Sequence, residues 1–106
     1  MSSTFGLIVR FELRDDVAAS GFDRLVAETR EGIVATEPGT LAYVVHEVPD
    51  EPTLRVFYEL YASKEAFEAH EARPHTKRFL EEREQYLTDT QVTFLSNPSG
   101  KGSMLP

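Results

Sequence analysis

The chain has 106 residues, 41% hydrophobic and 27% charged, which suits one globular domain and leaves no room for a separate cofactor domain. With 11 Lys and Arg against 18 Asp and Glu, the formal charge is −7, and no basic surface is concentrated enough to make nucleic acid or an anionic membrane the main partner. The absence of cysteine excludes thiol nucleophiles, disulfides, iron–sulfur clusters and thiolate zinc sites.

Met1-Ser2-Ser3-Thr4 lacks the basic and apolar regions of a signal peptide, and no apolar run approaches the ~18 residues of a membrane span. A cytoplasmic location is the expectation. Phe5, Leu7, Val9, Phe11 and Leu13 fall on one face, with Arg10, Glu12 and Arg14 on the other, the pattern of a strand with one buried side. Asp15-Asp16 makes a polar turn. From Val17 to about Glu37, Phe22, Leu25, Val26, Thr29 and Ile33 recur at helical spacing, and Pro38-Gly39 stops the helix.

Thr40 to Val48 and Leu54 to Ala62 are β-rich runs joined by Pro49-Asp50-Glu51-Pro52-Thr53, a hairpin with a five-residue loop. Facing Val48 with Leu54 sets Glu47 against Arg55, Val45 against Phe57 and Tyr43 against Glu59, and the unlike charges favour that register. Ser63 reads as a helix N-cap with Glu65 in the first turn. That helix runs from Lys64 to Glu71. Pro74 opens another helix reaching about Leu87, with Phe79, Leu80, Tyr86 and Leu87 inward. Gln91 to Leu95 is a last strand.

The order is strand, helix, strand, strand, split helix, strand: a ferredoxin-like βαββαβ α+β fold, an antiparallel sheet with helices on one face. Residues 1–96 form the domain, and residues 97–106 read as a flexible tail. Apolar residues occur on both faces of the first three strands, and one helical layer covers only one face. A homodimer closing sheet against sheet is the expected answer.

The chemistry-bearing residues gather in one stretch, Glu59 to His75. Glu59, in an apolar strand, becomes a base for a phenol proton if burial raises its pKa; otherwise it pairs with Arg55 or a helix residue, or reaches solvent. Tyr61 either positions an aromatic ligand or packs at the strand edge. Tyr43 and Tyr58 read as core or dimer residues. His70 and His75 suit proton transfer near neutral pH, and His75 lies in a helix first turn whose free N–H groups favour an anion. Each is otherwise a hydrogen-bonded structural histidine. His46 falls on the opposite face from Glu59. No metal motif, glycine-rich phosphate loop or Ser-His-Asp order is present.

Glu37-Pro38-Gly39-Thr40-Leu41-Ala42-Tyr43 resembles the E-P-G-x-L-x-Y run of the antibiotic biosynthesis monooxygenase family. Glu59 to His70 resembles that family's E-x-W-x-s-x-e-a-x-x-x-H segment, and Pro74-His75 its following p-H. The similarity spans about Phe5 to Leu95. It implies a dimeric α+β barrel whose better-known members oxidise quinols or aromatic polyketides with dioxygen, without flavin, haem or metal. Tyr61 stands where the family has tryptophan. The haem-degrading branch also needs a first-strand asparagine, which Phe5 to Arg14 lacks.

The resemblance thus implies a cofactor-free monooxygenase acting on a small hydroxyaromatic or quinol-like molecule and dioxygen. His75, His70 and Glu59 are its candidate catalytic residues, and Tyr61, Phe57, Phe67 and Tyr43 its candidate substrate contacts. Two other readings stand beside it: a non-catalytic ligand-binding or protective module, and an isomerase of a small sugar-like substrate. The last would draw on Arg73, Lys77 and Arg78 to hold a phosphate.

Overall fold

The structure is a computed structural model that describes residues 4–102; the expectations for residues 1–3 and 103–106 lie outside the described residues. The strands are β1 (Phe5–Leu13), β2 (Thr40–Val48), β3 (Glu51–Tyr61) and β4 (Leu87–Ser96). The helices are α1 (Asp16–Thr36), α2 (Lys64–Ala72) and α3 (Pro74–Glu82), with a short 3-10 turn over Arg83–Gln85. All three adjacent strand pairs are antiparallel, in the order β2-β3-β1-β4. This is the expected ferredoxin-like α+β fold.

Local chemistry sets the element boundaries. Asp15 caps α1 by accepting the Ala18 N–H at 2.8 Å, and Ser63 caps α2 by accepting the Ala66 N–H at 3.1 Å. Arg73 ends α2 and begins α3 in an extended conformation (φ −68°, ψ 145°), as a residue before proline prefers. The chain therefore changes direction at Ser63 and again at Arg73.

Leu7, Val9, Phe11 and Leu13 of β1 face the helices, as do Phe22, Leu25, Val26 and Ile33 from α1. At the centre Phe11, Phe22, Phe57 and Phe79 interlock, with ring centroids 4.7 to 6.2 Å apart. Offset and edge contacts of this kind add to the stability gained from burial itself. On the helix-free face Ile8 and Val44 are 38% and 45% exposed, beside half-buried Val56 and Tyr58.

The central hairpin register is as expected: Tyr43 opposes Glu59, Val45 opposes Phe57 and Glu47 opposes Arg55. The turn is different. Val48 pairs with Glu51, not Leu54, so only Pro49-Asp50 connect the strands. Proline followed by a residue at φ 66° follows the type II pattern, and aspartate tolerates that left-handed geometry. The surplus length is absorbed in β3, where Arg55 donates to the carbonyls of Pro52 at 2.9 Å and Leu54 at 3.0 Å. Arg55 also makes a two-pronged pair with Asp23 of α1, at 2.9 and 3.0 Å.

The other correction lies at the carboxyl end. The helix expected to reach Leu87 stops at Glu82, and β4 starts at Leu87 rather than Gln91. Tyr86 and Leu87 keep the apolar character that mimics a helical stripe, yet the 3-10 turn reverses the chain there. The Tyr86 carbonyl accepts the Arg14 N–H at 2.9 Å, tying this bend to the end of β1.

Candidate active site

Between the sheet and the helical layer lies a cavity of about 150 Å³. Its apolar walls include Leu7, Val9 and Phe11 from β1, with Phe67, Phe79 and Phe94 closing it from α2, α3 and β4. Polar groups enter at a few points: Tyr43 from β2, Glu59 from β3, His70 from α2, Thr76 from α3, and Arg83 from the 3-10 turn. A mostly apolar pocket with a small number of convergent polar groups is the usual form of a small-molecule site.

Of the residues singled out from sequence, Tyr43, Glu59, Phe67 and His70 line this cavity. Tyr61, Phe57 and His75 do not. Tyr61 is fully buried behind the wall, where its hydroxyl donates to Glu59 Oε1 at 2.5 Å. Phe57 belongs to the aromatic core. Arg73, Lys77 and Arg78 also lie off the cavity lining: Arg78 pairs with Glu28 and Glu82, and Arg73 donates to the Thr36 carbonyl. His46 lies on the other face of β2, opposite Val56.

Glu59 makes neither the Arg55 pair nor the solvent contact open to it. It is 7% exposed, and burial, reinforced by the negative charges of Glu71 and Glu37, pushes its carboxyl up to about 7 despite the Tyr61 hydrogen bond and the Arg83 charge. Burial and the Glu59 charge drive the Tyr61 phenol far above its ordinary range, and the Tyr43 phenol is raised for the same two reasons. Both phenols therefore remain protonated donors. Glu59 alone among these groups titrates near neutrality.

Arg83 is the cation that lines the cavity, and sequence reasoning missed it. Its guanidinium sits 5.5 Å from the Phe11 ring centroid and 5.6 Å from that of Phe79, a double cation–π contact. Among the described residues, its Nε is the buried side-chain polar atom without a hydrogen-bond partner. Burial lowers its pKa from the ordinary value, but arginine starts so high that it stays charged.

Glu37 was also missed. Its backbone N–H closes α1 on the Ile33 carbonyl at 3.0 Å, while its side chain turns inward between the two histidines. Oε1 pairs with His70 Nδ1 at 2.7 Å and accepts the Thr40 hydroxyl at 2.7 Å, and Oε2 pairs with His75 Nε2. Burial alone would raise this carboxyl, but hydrogen bonds from Thr40, His75 and His70 hold it below its usual value. Thus His70 and His75 are joined through one carboxylate, and only His70 reaches the cavity.

Among the described residues no three imidazole or carboxylate groups are arranged to hold a metal ion. None of their helices is long and apolar enough to cross a membrane.

Sheet order, helix layer and cavity together define a ferredoxin-like α+β domain with a small-molecule pocket between its layers. The family profile described as "Antibiotic biosynthesis monooxygenase" matches residues 4–82, and the chain belongs to that family. A Caulobacter crescentus protein, provisionally named an antibiotic biosynthesis monooxygenase, superposes with a TM-score of 0.85 at 19% identity over 92% of each chain. A Nitrosomonas europaea protein with the same provisional name gives 0.84 at 18% identity, over 96% of this chain and 97% of its own. Rv0793 from Mycobacterium tuberculosis gives 0.76 at 27% identity, covering 94% of this chain and 100% of the other. A comparison with curated proteins finds no match.

Proposed function

We propose that this protein is a monooxygenase that oxidises a small hydroxyaromatic or quinol with dioxygen and draws no electrons from a resident cofactor. The observation that carries this reading is the convergence of His70, Glu59, Tyr43 and Arg83 on one apolar cavity. His70 Nε2 takes the proton of a ring hydroxyl, and the anionic oxygen so formed faces the Arg83 guanidinium. The electron-rich ring then transfers an electron to dioxygen and combines with the product on carbon. Loss of water leaves a new carbonyl. A quinol and dioxygen thus become a hydroxyquinone and water, with every electron supplied by the ring.

Oxygen uptake with a panel of quinols and hydroxyaromatics tests this. His70→Ala is expected to lower turnover by ~10²–10⁴-fold, as for a lost general base. An unchanged rate removes His70 from the chemistry. Binding of the same compounds without oxygen uptake favours a non-catalytic ligand module instead.

The working form is a homodimer. Its support is the helix-free sheet face, where Ile8 and Val44 are exposed beside Val56 and Tyr58. Val44→Lys is expected to dissociate or unfold the protein. Light scattering that finds a folded wild-type monomer at micromolar concentration contradicts the dimer.

A further inference from the structure

We infer that Glu37 is a positioning residue that holds His70 with Nε2 unprotonated toward the cavity, and that His75 serves to anchor Glu37 rather than to contact the ligand. This rests on the monooxygenase reading for its kinetic consequence and on geometry alone for its structural one.

The two histidines use different ring nitrogens on the same carboxylate. His70 presents Nδ1 to Oε1, and His75 presents Nε2 to Oε2. An ionised carboxylate only accepts hydrogen bonds, so each of these nitrogens must carry its proton. A neutral His70 then has its lone pair on Nε2, and His70 is the histidine that lines the cavity. When Nε2 takes a proton from a ligand, the imidazolium has a carboxylate already in contact with its other nitrogen. The arrangement assigns the tautomer before the ligand arrives and opposes the charge afterwards.

The remaining donors fix the carboxylate itself. Thr40 supplies a hydroxyl to the oxygen that His70 uses, so Oε1 receives two donors and Oε2 one. Rotation of the carboxylate would break all three contacts. The His70 ring is also fixed by neighbours, with Tyr61 and Tyr43 centroids at 5.3 and 5.9 Å. Thr76 Oγ1 lies 3.5 Å from Nδ1, too far to replace Glu37.

His75 is only 18% exposed at its side chain, and α1 has made space for it. Gly32 lies within that helix, where glycine costs about 1 kcal/mol relative to alanine. A methyl group at Gly32 would overlap the His75 ring. The glycine is thus explained by the ring resting on it. His75 is held between a helix surface and Glu37, which suits an anchor and not a base.

Long-range ¹⁵N–¹H NMR of the ligand-free protein, at a pH where the rings are neutral, reads the tautomers without any substrate. The expected signature is Nδ1–H for His70 and Nε2–H for His75. In Glu37→Gln, His70 should become a tautomer mixture. With any quinol that is turned over, kcat should fall ~10–100-fold, the cost usual for losing a partner that orients a functional histidine, while KM stays nearly unchanged. Gly32→Ala adds no ionisable group and should blur the His75 signature and, through the loosened Glu37, that of His70 to a smaller degree.

An Nε2–H tautomer for His70 in the wild type overturns the proposal, as does a Glu37→Gln protein with unchanged tautomer and kcat. If Glu37→Gln does not fold, the wild-type signature and the Gly32→Ala spectrum decide. If the expected tautomers appear but no quinol is oxidised, the positioning stands and the monooxygenase reading falls.

Discussion

Glu37 and Glu59 are both nearly removed from water, yet the fold treats them in opposite ways. At the α1–β2 corner Glu37 meets Thr40, His70 and His75, three donors on two oxygens, and is held ionised. Near the end of β3, Glu59 has among the described residues the Tyr61 hydroxyl as its one donor, beside two negative neighbours, and its carboxyl rises to about 7. Burial raises both carboxyls, and Glu59 is the more deeply desolvated of the two; at Glu37 three donors outweigh that cost, and at Glu59 one does not.

That contrast can be broken most forcefully at Glu37. Glu37→Ala strips the acceptor from one buried imidazole and from a partly buried imidazole and hydroxyl, and about 3–5 kcal/mol of stability should be lost, as when one partner of a buried pair is removed. Urea denaturation at neutral pH measures it. A loss below about 1 kcal/mol would mean that water replaces the carboxylate freely.

The same measurement should change sign at Glu59. The native state keeps the Glu59 proton to a higher pH than the unfolded chain does, so this group's contribution to stability is fully present below about 4.5 and fades as the pH rises to about 7. The difference is on the order of 3 kcal/mol, given a carboxyl moved from 4.5 to about 7. Glu59→Gln should therefore stabilise the protein at pH ~8 and flatten that part of its pH dependence. Glu37 runs the other way: its contribution is present above 4.5 and lost as the pH falls through its lowered native value. A Glu59→Gln protein less stable than wild type at alkaline pH would show that the charge is paired after all.

The smallest effect sharpens the comparison. Tyr61→Phe removes the donor that Glu59 has among the described residues, at a cost of about 1 kcal/mol. It should move the Glu59 titration further up, which a carbon-detected carboxyl titration would read. No movement would separate the phenol from the carboxylate.

How legible this was from sequence depended on the range of the signal. The alternation from Phe5 to Leu13 identified the buried side of β1, and opposed Glu47 and Arg55 identified the hairpin register, although Arg55 finds its partner in Asp23. Ser63 and Pro74 marked the helix boundaries by local chemistry alone. Leu87 misled because a strand's first apolar residue continued the spacing of the helix before it. Glu37 looked like the approach to a Pro-Gly stop, since its histidine partners lie 33 and 38 residues further along the chain. Arg83 sits in a 3-10 turn that no periodicity announces. Family resemblance brought His70 and His75 forward together, and only the three-dimensional arrangement separates their positions.

Gly21 and Gly32 lie eleven residues apart on α1, and the rings that fill the space above them, Tyr86 and His75, are also eleven residues apart. The order is reversed, 21 with 86 and 32 with 75, as antiparallel segments require. These two notches work as a vernier. Sliding α1 by a single residue would drive both rings into side chains at once, so the axial setting of α3 and the 3-10 turn is keyed at both ends. Thr76 and Arg83 both lie between those keys. Helix register, a property usually credited to the whole interface, is here set by what two positions leave out.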